Sequence, residues 1–323
     1  MSWERPLHQA GFVAGVAVGD GCVVVHERGT RLVCLDAVDG AVRWDVPIGT
    51  WPRAVVVAGA RCLVLPQSPR RLVCLDLATG RREWTVEFGA FVGHLVVARG
   101  TVLVGGWRGY APLRALDVET GELLATADIH TVWPAAVGGG FLVAAPGGTA
   151  VRLVDHDLRE VAAWSLPERI SGPDHAAVFT PIAEDRYLVR CGARTVVEVG
   201  PGGVREFVRA ERDLTVDAPV LAGGLVWLRE RSGGYTTAAG GRLRWRFDIG
   251  QPLVGGVHVV DGGFAVAALA GTLFRLDPTG QILGRAQVAR RITALEPSGL
   301  ALTKGTLLAF SASLLPGLQR GKQ

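Results

Sequence analysis

The stretch RLVCLDAVDGAVRW runs from Arg31 to Trp44, and forty residues later the chain reads RLVCLDLATGRREW, from Arg71 to Trp84. The copies align at Asp36 and Asp76, Gly40 and Gly80, and Trp44 and Trp84. Self-similarity at a fixed period outranks local propensity as a guide to fold. The same frame returns in weaker form around Asp117 and Gly121, and then at Trp164, Phe207 and Trp245. The aromatic positions 44, 84, 125, 164, 207, 245 and 284 lie 38 to 43 residues apart, with Ala125 and Gly284 replacing the ring in two of them.

Every unit has one grammar. An apolar run ends at a Gly-rich turn (VAVGDG), two further runs follow (CVVVHERG, RLVCLD), and a DG or TG turn leads to a fourth. Short β-branched runs with turn signals every 8 to 12 residues predict an all-β fold. Four strands per repeat of about 40 residues is the pattern of a β-propeller blade. After Gly284 the chain offers only three strands, in RRITALEPSG, LALTKG and TLLAFSAS. The missing fourth lies at the other end: SWERPLH (Ser2 to His8) aligns with RWDVPIG (Arg43 to Gly49). The expectation is an eight-bladed propeller over residues 1–315, in four-stranded antiparallel blades, with the N-terminal strand closing the last blade. A flexible tail is expected over 316–323. A seven-bladed alternative would make the unit near Gly203 a long insertion.

Bulk composition narrows the classes. Apolar residues make up 49% of 323, enough for a large core. No 18-residue apolar stretch escapes charge or repeated glycine, so a transmembrane helix is not expected. The N-terminus MSWERPLHQAG lacks the basic and apolar regions of a secretory signal, and five cysteines are an odd number. Both point to reduced thiols in the cytoplasm. A net charge of +4 neither demands nor excludes an anionic partner.

The pattern Leu-Asp-x-x-[Thr/Asp]-Gly-x-x-x-Trp resembles the repeat of the PQQ-type (quinoprotein-like) propellers. The likeness covers nearly the whole chain and is strongest in the first two units. It implies that Trp3, Trp44, Trp84, Trp164, Trp245 and Phe207 dock between neighbouring blades, and that Asp36, Asp76 and Asp117 with Gly40, Gly80 and Gly121 build turns. The quinone-binding members hold calcium with Glu, Asn and Asp and carry adjacent cysteines over the quinone. This chain has no asparagine, and no two of Cys22, Cys34, Cys62, Cys74 and Cys191 are neighbours. No cofactor and no metal are therefore expected. The cysteines read as small buried hydrophobes. Cys22 and Cys62 are taken as equivalent repeat positions, and Cys22 and Cys34 as pointing to opposite faces of their hairpin.

Function is sought where residues depart from the repeat. Two loop sets should share the mouth of the central channel: the connections between blades and the second-to-third hairpins. Trp51, Trp107 and Trp133 fall there, with Arg53, Arg108, Tyr110 and Arg291, and these are the candidate ligand-contacting residues. Trp227 sits mid-strand and reads as packing. For proton transfer the candidates are His175, Asp174, Asp217 and His130, because His titrates near neutrality. No dinucleotide, P-loop or Gly-x-Ser-x-Gly element accompanies them. The leading expectation is a cytoplasmic binding module holding a small aromatic or anionic ligand, or a partner segment, at the mouth. The alternative is a cofactor-free cyclase, isomerase or lyase. A PQQ oxidoreductase, a nucleic-acid partner and a membrane partner are disfavoured.

Overall fold

The computed structural model describes residues 3–7, 15–27, 29–170, 172, 178–303 and 305–310. These form eight four-stranded antiparallel sheets and, among the described residues, no helix. No helix is thus long and apolar enough to cross a membrane. Blade 1 consists of Val16–Gly19, Cys22–Glu27, Arg31–Asp36 and Val42–Pro47, counted from the channel outward. Blades 2 to 7 follow over 50–87, 94–127, 133–165, 179–209, 220–247 and 258–287. Blade 8 takes 292–309 and its outermost strand from the N-terminus: Trp3–Pro6 pairs with Thr306–Ala309, Trp3 opposite Ala309. That pairing closes the ring of blades. The predicted tail over 316–323 lies outside the described residues.

The two middle strands of each blade carry the core. Cys22–Glu27 is buried at all six positions, as expected for strands covered on both faces. The outermost strands alternate and are half exposed.

The repeat tryptophans lock the seams between blades. The Trp44 ring, 7% exposed, lies over the turn of blade 2, where a Cβ on Gly80 would stand 2.7 Å from a ring carbon. Trp3 over Gly40 and Trp84 over Gly121 leave the same 2.7 Å, and Trp245 over Gly280 leaves 2.5 Å. Each indole Nε1 donates to a turn carbonyl of the next blade: Ala37 at 3.1 Å, Leu77 at 2.7 Å, Val118 at 3.1 Å and Pro278 at 3.2 Å. The turn's aspartate fixes that carbonyl. Asp117 Oδ1 accepts from the backbone N–H groups of Glu119 and Thr120, both at 2.8 Å. Glycine is required at these turns because its φ lies between +71° and +87° as well as because the ring leaves no room for a side chain.

Two expectations about cysteine need correcting. The hairpin of blade 2 is one residue longer than that of blade 1: Cys22 pairs with Asp36, but Arg61, not Cys62, pairs with Asp76. Cys62 is therefore the counterpart of Val23, and a one-residue shift turns a side chain to the other face of its sheet. Within blade 1, Cys34 pairs with Val24, two residues from Cys22, so Cys22 and Cys34 share a face. Cys22, Cys34 and Cys62 meet in the one hydrophobic seam between blades 1 and 2. All five cysteines are free and buried. Burial, followed by the hydrogen bond with Cys22, pushes the Cys34 thiol up to about 12, which makes it a packing group.

Candidate functional site

Alternation of the four strands places the blade-to-blade connections and the second-to-third hairpins at one end of the channel, the mouth. Two groups of side chains gather there.

The first spans blades 2 and 3. The inner strand Thr50–Ala58 opens with Trp51 at φ +51° and has a register shift between Pro52 and Ala54, so Arg53 is the extra residue of a bulge. A bulge re-aims its side chain. Arg53 Cζ sits 3.9 Å from the centroid of the Trp107 ring, and Arg108 Cζ approaches the same ring at 4.9 Å. Trp107 can lie that close to the backbone because residue 93 is glycine; a Cβ there would stand 2.2 Å from the Trp107 side chain. Tyr110, half exposed, tilts against Trp107 at 5.4 Å and meets the Phe91 edge at 5.8 Å, and Arg70 lies 4.3 Å over Phe91. Three guanidinium groups thus converge on two aromatic rings, an arrangement favourable by about 0.5–2 kcal/mol per contact. Trp51 is 60% exposed on the same face.

The second group lies at blades 5 and 6. Arg190, near the end of Arg186–Cys191, is buried, and its Nη1 donates to the Gly192 carbonyl at 2.5 Å. Burial, then the charge of Arg231, draws its pKa down, yet an arginine stays protonated. Arg231 Nε donates to the Leu214 carbonyl at 3.3 Å, and Arg229 Nη1 donates to Asp217 Oδ2 at 2.9 Å. Glu230, 1% exposed, is bonded to Arg246 instead. Burial raises its carboxyl, but hydrogen bonds from Arg246, Thr236 and Ser232 outweigh that and hold it below the usual range.

The structure sorts the sequence candidates. Arg53, Trp107, Arg108 and Tyr110 form one cluster, and Trp51 is exposed on the same face. Arg291 is exposed between blades 7 and 8. Trp133 is not an exposed contact: it opens the inner strand Trp133–Val137 and is 5% exposed in the core shared with Phe179 and Tyr187. Trp227 is fully buried among Tyr235, Trp245 and Phe264, as its mid-strand position predicts. His130 Nε2 lies 2.9 Å from Asp128 Oδ1, and the His130 carbonyl accepts from Gly109 N, tying its loop to the Trp107 loop. Asp217 is held by Arg229 and by the Thr215 hydroxyl at 2.8 Å, a structural ion pair rather than a free base. Asp174 and His175 lie outside the described residues. Sequence reading missed the placement of Arg190, since nothing in a strand's composition says that its end reaches the mouth.

A calcium-held quinone does not fit this donor set. Among the described residues the mouth offers arginines and aromatic rings, its carboxylates Asp217, Glu27 and Asp213 are paired with Arg229, Arg5 and Arg194, and the chain contains no asparagine to complete an oxygen cage. Among the described residues no group of three or more His, Cys, Asp or Glu side chains could hold a metal ion.

Comparison with known proteins agrees with the fold. The family described as outer membrane protein assembly factor BamB, a PQQ-type repeat, matches residues 1–87 and again 47–133. No curated protein matches the sequence. Among solved structures, BamB from Moraxella catarrhalis superposes with a TM-score of 0.71 at 16% identity, over 95% of this chain and 96% of that one. Dihydro-heme d1 dehydrogenase NirN in complex with DHE gives 0.74 at 13% identity, over 93% of this chain and 72% of that one. The computationally designed Ika8 protein gives 0.67 at 14% identity, over 94% and 98%. The chain is an eight-bladed β-propeller whose first 133 residues match the PQQ-type repeat. At these identities the structural neighbours establish its architecture and nothing of its activity.

Proposed function

We propose that the protein is a binding module whose channel mouth holds an acidic segment of a partner protein that carries an aromatic side chain. The observation behind this reading is the convergence of Arg53 and Arg108 on the Trp107 ring beside half-exposed Tyr110 and Trp51. Exposed aromatics with arginine are the residues that anchor interfaces. Three blades further round the ring, Arg190 and Arg231 supply a second cationic point, so an extended segment crossing the mouth would meet positive charge at both ends. A neighbour described as an assembly factor is compatible with a partner protein, and one in complex with DHE with a small ligand. The same reading puts the protein in the cytoplasm, where its five thiols stay reduced, and cell fractionation tests that. Of the acid–base residues a cofactor-free enzyme would use, the two described, Asp217 and His130, are each bonded locally.

The test is fluorescence anisotropy with a labelled peptide rich in Glu and containing one Tyr. Arg53→Ala and Trp107→Ala should each weaken binding about tenfold, matching a partly desolvated cation–π contact. Raising the salt should weaken binding further. Unchanged affinity in both variants would overturn the reading. Competition by citrate at similar affinity would shift it to a small anion.

A further inference from the structure

Two clefts lie at the opposite end of the channel from the mouth, in the seams between blades. One, of about 490 Å³, opens between blades 5 and 6, and another, of about 320 Å³, between blades 4 and 5. Both sit where the third-to-fourth turn is cut short. In blade 5, Gly200 pairs with Gly203, leaving only Pro201 and Gly202 in the turn. In blade 6, Ala239 pairs with Arg242, leaving Gly240 and Gly241. The locked seams instead have the longer Asp-anchored turn that presents a carbonyl to the indole. At the blade 5–6 seam the indole is also gone: Phe207 stands in its place and has no N–H to donate. A Cβ on Gly241 would meet the Phe207 carbonyl at 3.0 Å, not its ring, so Phe207 does not cover this turn as the tryptophans cover theirs.

The chemistry of this corner is specific. Phe207, Leu221 and Val226 line its apolar side, and Arg186, Arg205 and Glu198 its polar side. Glu198 is only 6% exposed; Arg205 Nη2 reaches it at 2.8 Å and Arg186 Nε at 3.4 Å. The two arginine side chains remain 69% and 49% exposed. Two guanidinium groups, with five N–H donors each, face one carboxylate, so donors and one positive charge are left over. The neighbouring Glu206 is matched by Arg209 at 3.0 Å.

We propose that the cleft between blades 5 and 6 is a binding site for a small aromatic carboxylate. Its ring takes the place that an indole fills in the locked seams, against Phe207 and Leu221. Its carboxylate accepts from Arg186 and Arg205, the geometry arginine matches best. The volume suits a ligand of that size. The site is separate from the mouth and does not depend on what the mouth binds.

Titration calorimetry with indole-3-acetate as the probe tests this. The intact protein should bind one equivalent saturably, and indole without the acid should bind at least tenfold more weakly. Arg205→Ala, which leaves Arg186 to pair with Glu198, should weaken binding at least tenfold while the far-ultraviolet circular dichroism stays that of the intact protein. Phe207→Trp should fill the slot and abolish binding. Trp107→Ala, at the mouth, should leave it unchanged. Absence of saturable binding, or binding indifferent to both Arg205→Ala and Phe207→Trp, would overturn the proposal. Loss of binding in Trp107→Ala alone would move the probe to the mouth, ending this inference while leaving the mouth reading intact.

Discussion

The seam between blades 1 and 2 and the seam between blades 5 and 6 have equally dry interiors but different corners. In the first, Cys22, Val24 and Trp44 pack on Cys62, Val64 and Leu77; in the second, Leu188 and Val196 pack on Val226 and Leu228. The difference lies in one turn and one ring. Where the Asp-anchored turn is whole, its glycine and carbonyl seat an indole; where it is trimmed to two residues, the corner opens into a cleft. Nor is this a steady decay along the chain. Blade 7 recovers the turn at Asp277 and Gly280, and Trp245 locks the seam again. Turn length, more than strand content, decides whether a seam is sealed, so the scaffold can acquire a pocket by deleting a few turn residues while its sheets stay intact.

The largest effect expected from this contrast is in the stability of tryptophan truncations. Trp44→Ala removes a buried ring and its 2.7 Å hydrogen bond and should cost about 3–5 kcal/mol. Trp164, half-buried against the blade 4–5 cleft, should cost about 1–2 kcal/mol as alanine, since part of its surface already faces open space. Urea denaturation of the two variants measures both. Equal losses would break the distinction between sealed and open seams.

A second contrast concerns acid. His26 and Arg190 occupy the same place in their strands, fifth of six, and both are buried. Burial pushes His26 down to about 4, against the opposing effect of its hydrogen bond with the Gly49 carbonyl. Between pH 6.5 and about 4 the folded histidine stays neutral while the unfolded chain takes up a proton. Its contribution is therefore fully present above pH 6.5 and lost as pH falls toward 4, on the order of 3 kcal/mol in all. His26→Gln should flatten that limb of the stability profile, measured by urea midpoints from pH 7 to 4. An unchanged limb in the variant would assign the acid sensitivity elsewhere. Arg190 stays charged throughout this range, so blade 5 should add no comparable limb from that position.

Blade number and closure were legible because Trp, Gly and Asp recur at fixed spacing, and Trp3 could be aligned on Trp44 before any strand was placed. The cysteine pattern misled for a definite reason. Cys22 and Cys62 are forty residues apart, but one extra residue in the blade 2 hairpin offsets them, and strand periodicity of two turns that offset into a change of face. Trp133 looked like a loop contact because PQQ-type spacing does not show where an inner strand begins. The Arg53–Trp107 cluster was half legible: its members stood out as departures from the repeat, but only the bulge at Arg53 and the bare backbone at Gly93 bring them together. The clefts had a signal that went unused, since GPGG and AAGG stand where the sealed blades have an Asp-anchored turn ending in Gly.

The smallest effect is the most direct test of why a seam seals. Asp117 fixes the turn whose Val118 carbonyl accepts from Trp84 Nε1. The backbone hydrogen bond from Thr120, opposed by desolvation and helped by the Thr120 hydroxyl and the Glu119 N–H, holds its carboxyl below the usual range. Its contribution is thus present at neutral pH and lost as the medium is acidified below about pH 4, where an unfolded aspartate protonates. Asp117→Ala should lower stability at pH 7 by on the order of 1 kcal/mol, and by progressively less as the pH falls from about 4 through the lower range in which the folded carboxyl protonates. If the turn seals the seam by presenting its carbonyl, Asp117→Ala and Trp84→Ala must couple, the double variant losing less than the sum of the two by about 0.5 kcal/mol or more. Strict additivity would mean that turn and indole act independently, and the opening of blades 5 and 6 would then have to be traced to the loss of the tryptophan alone.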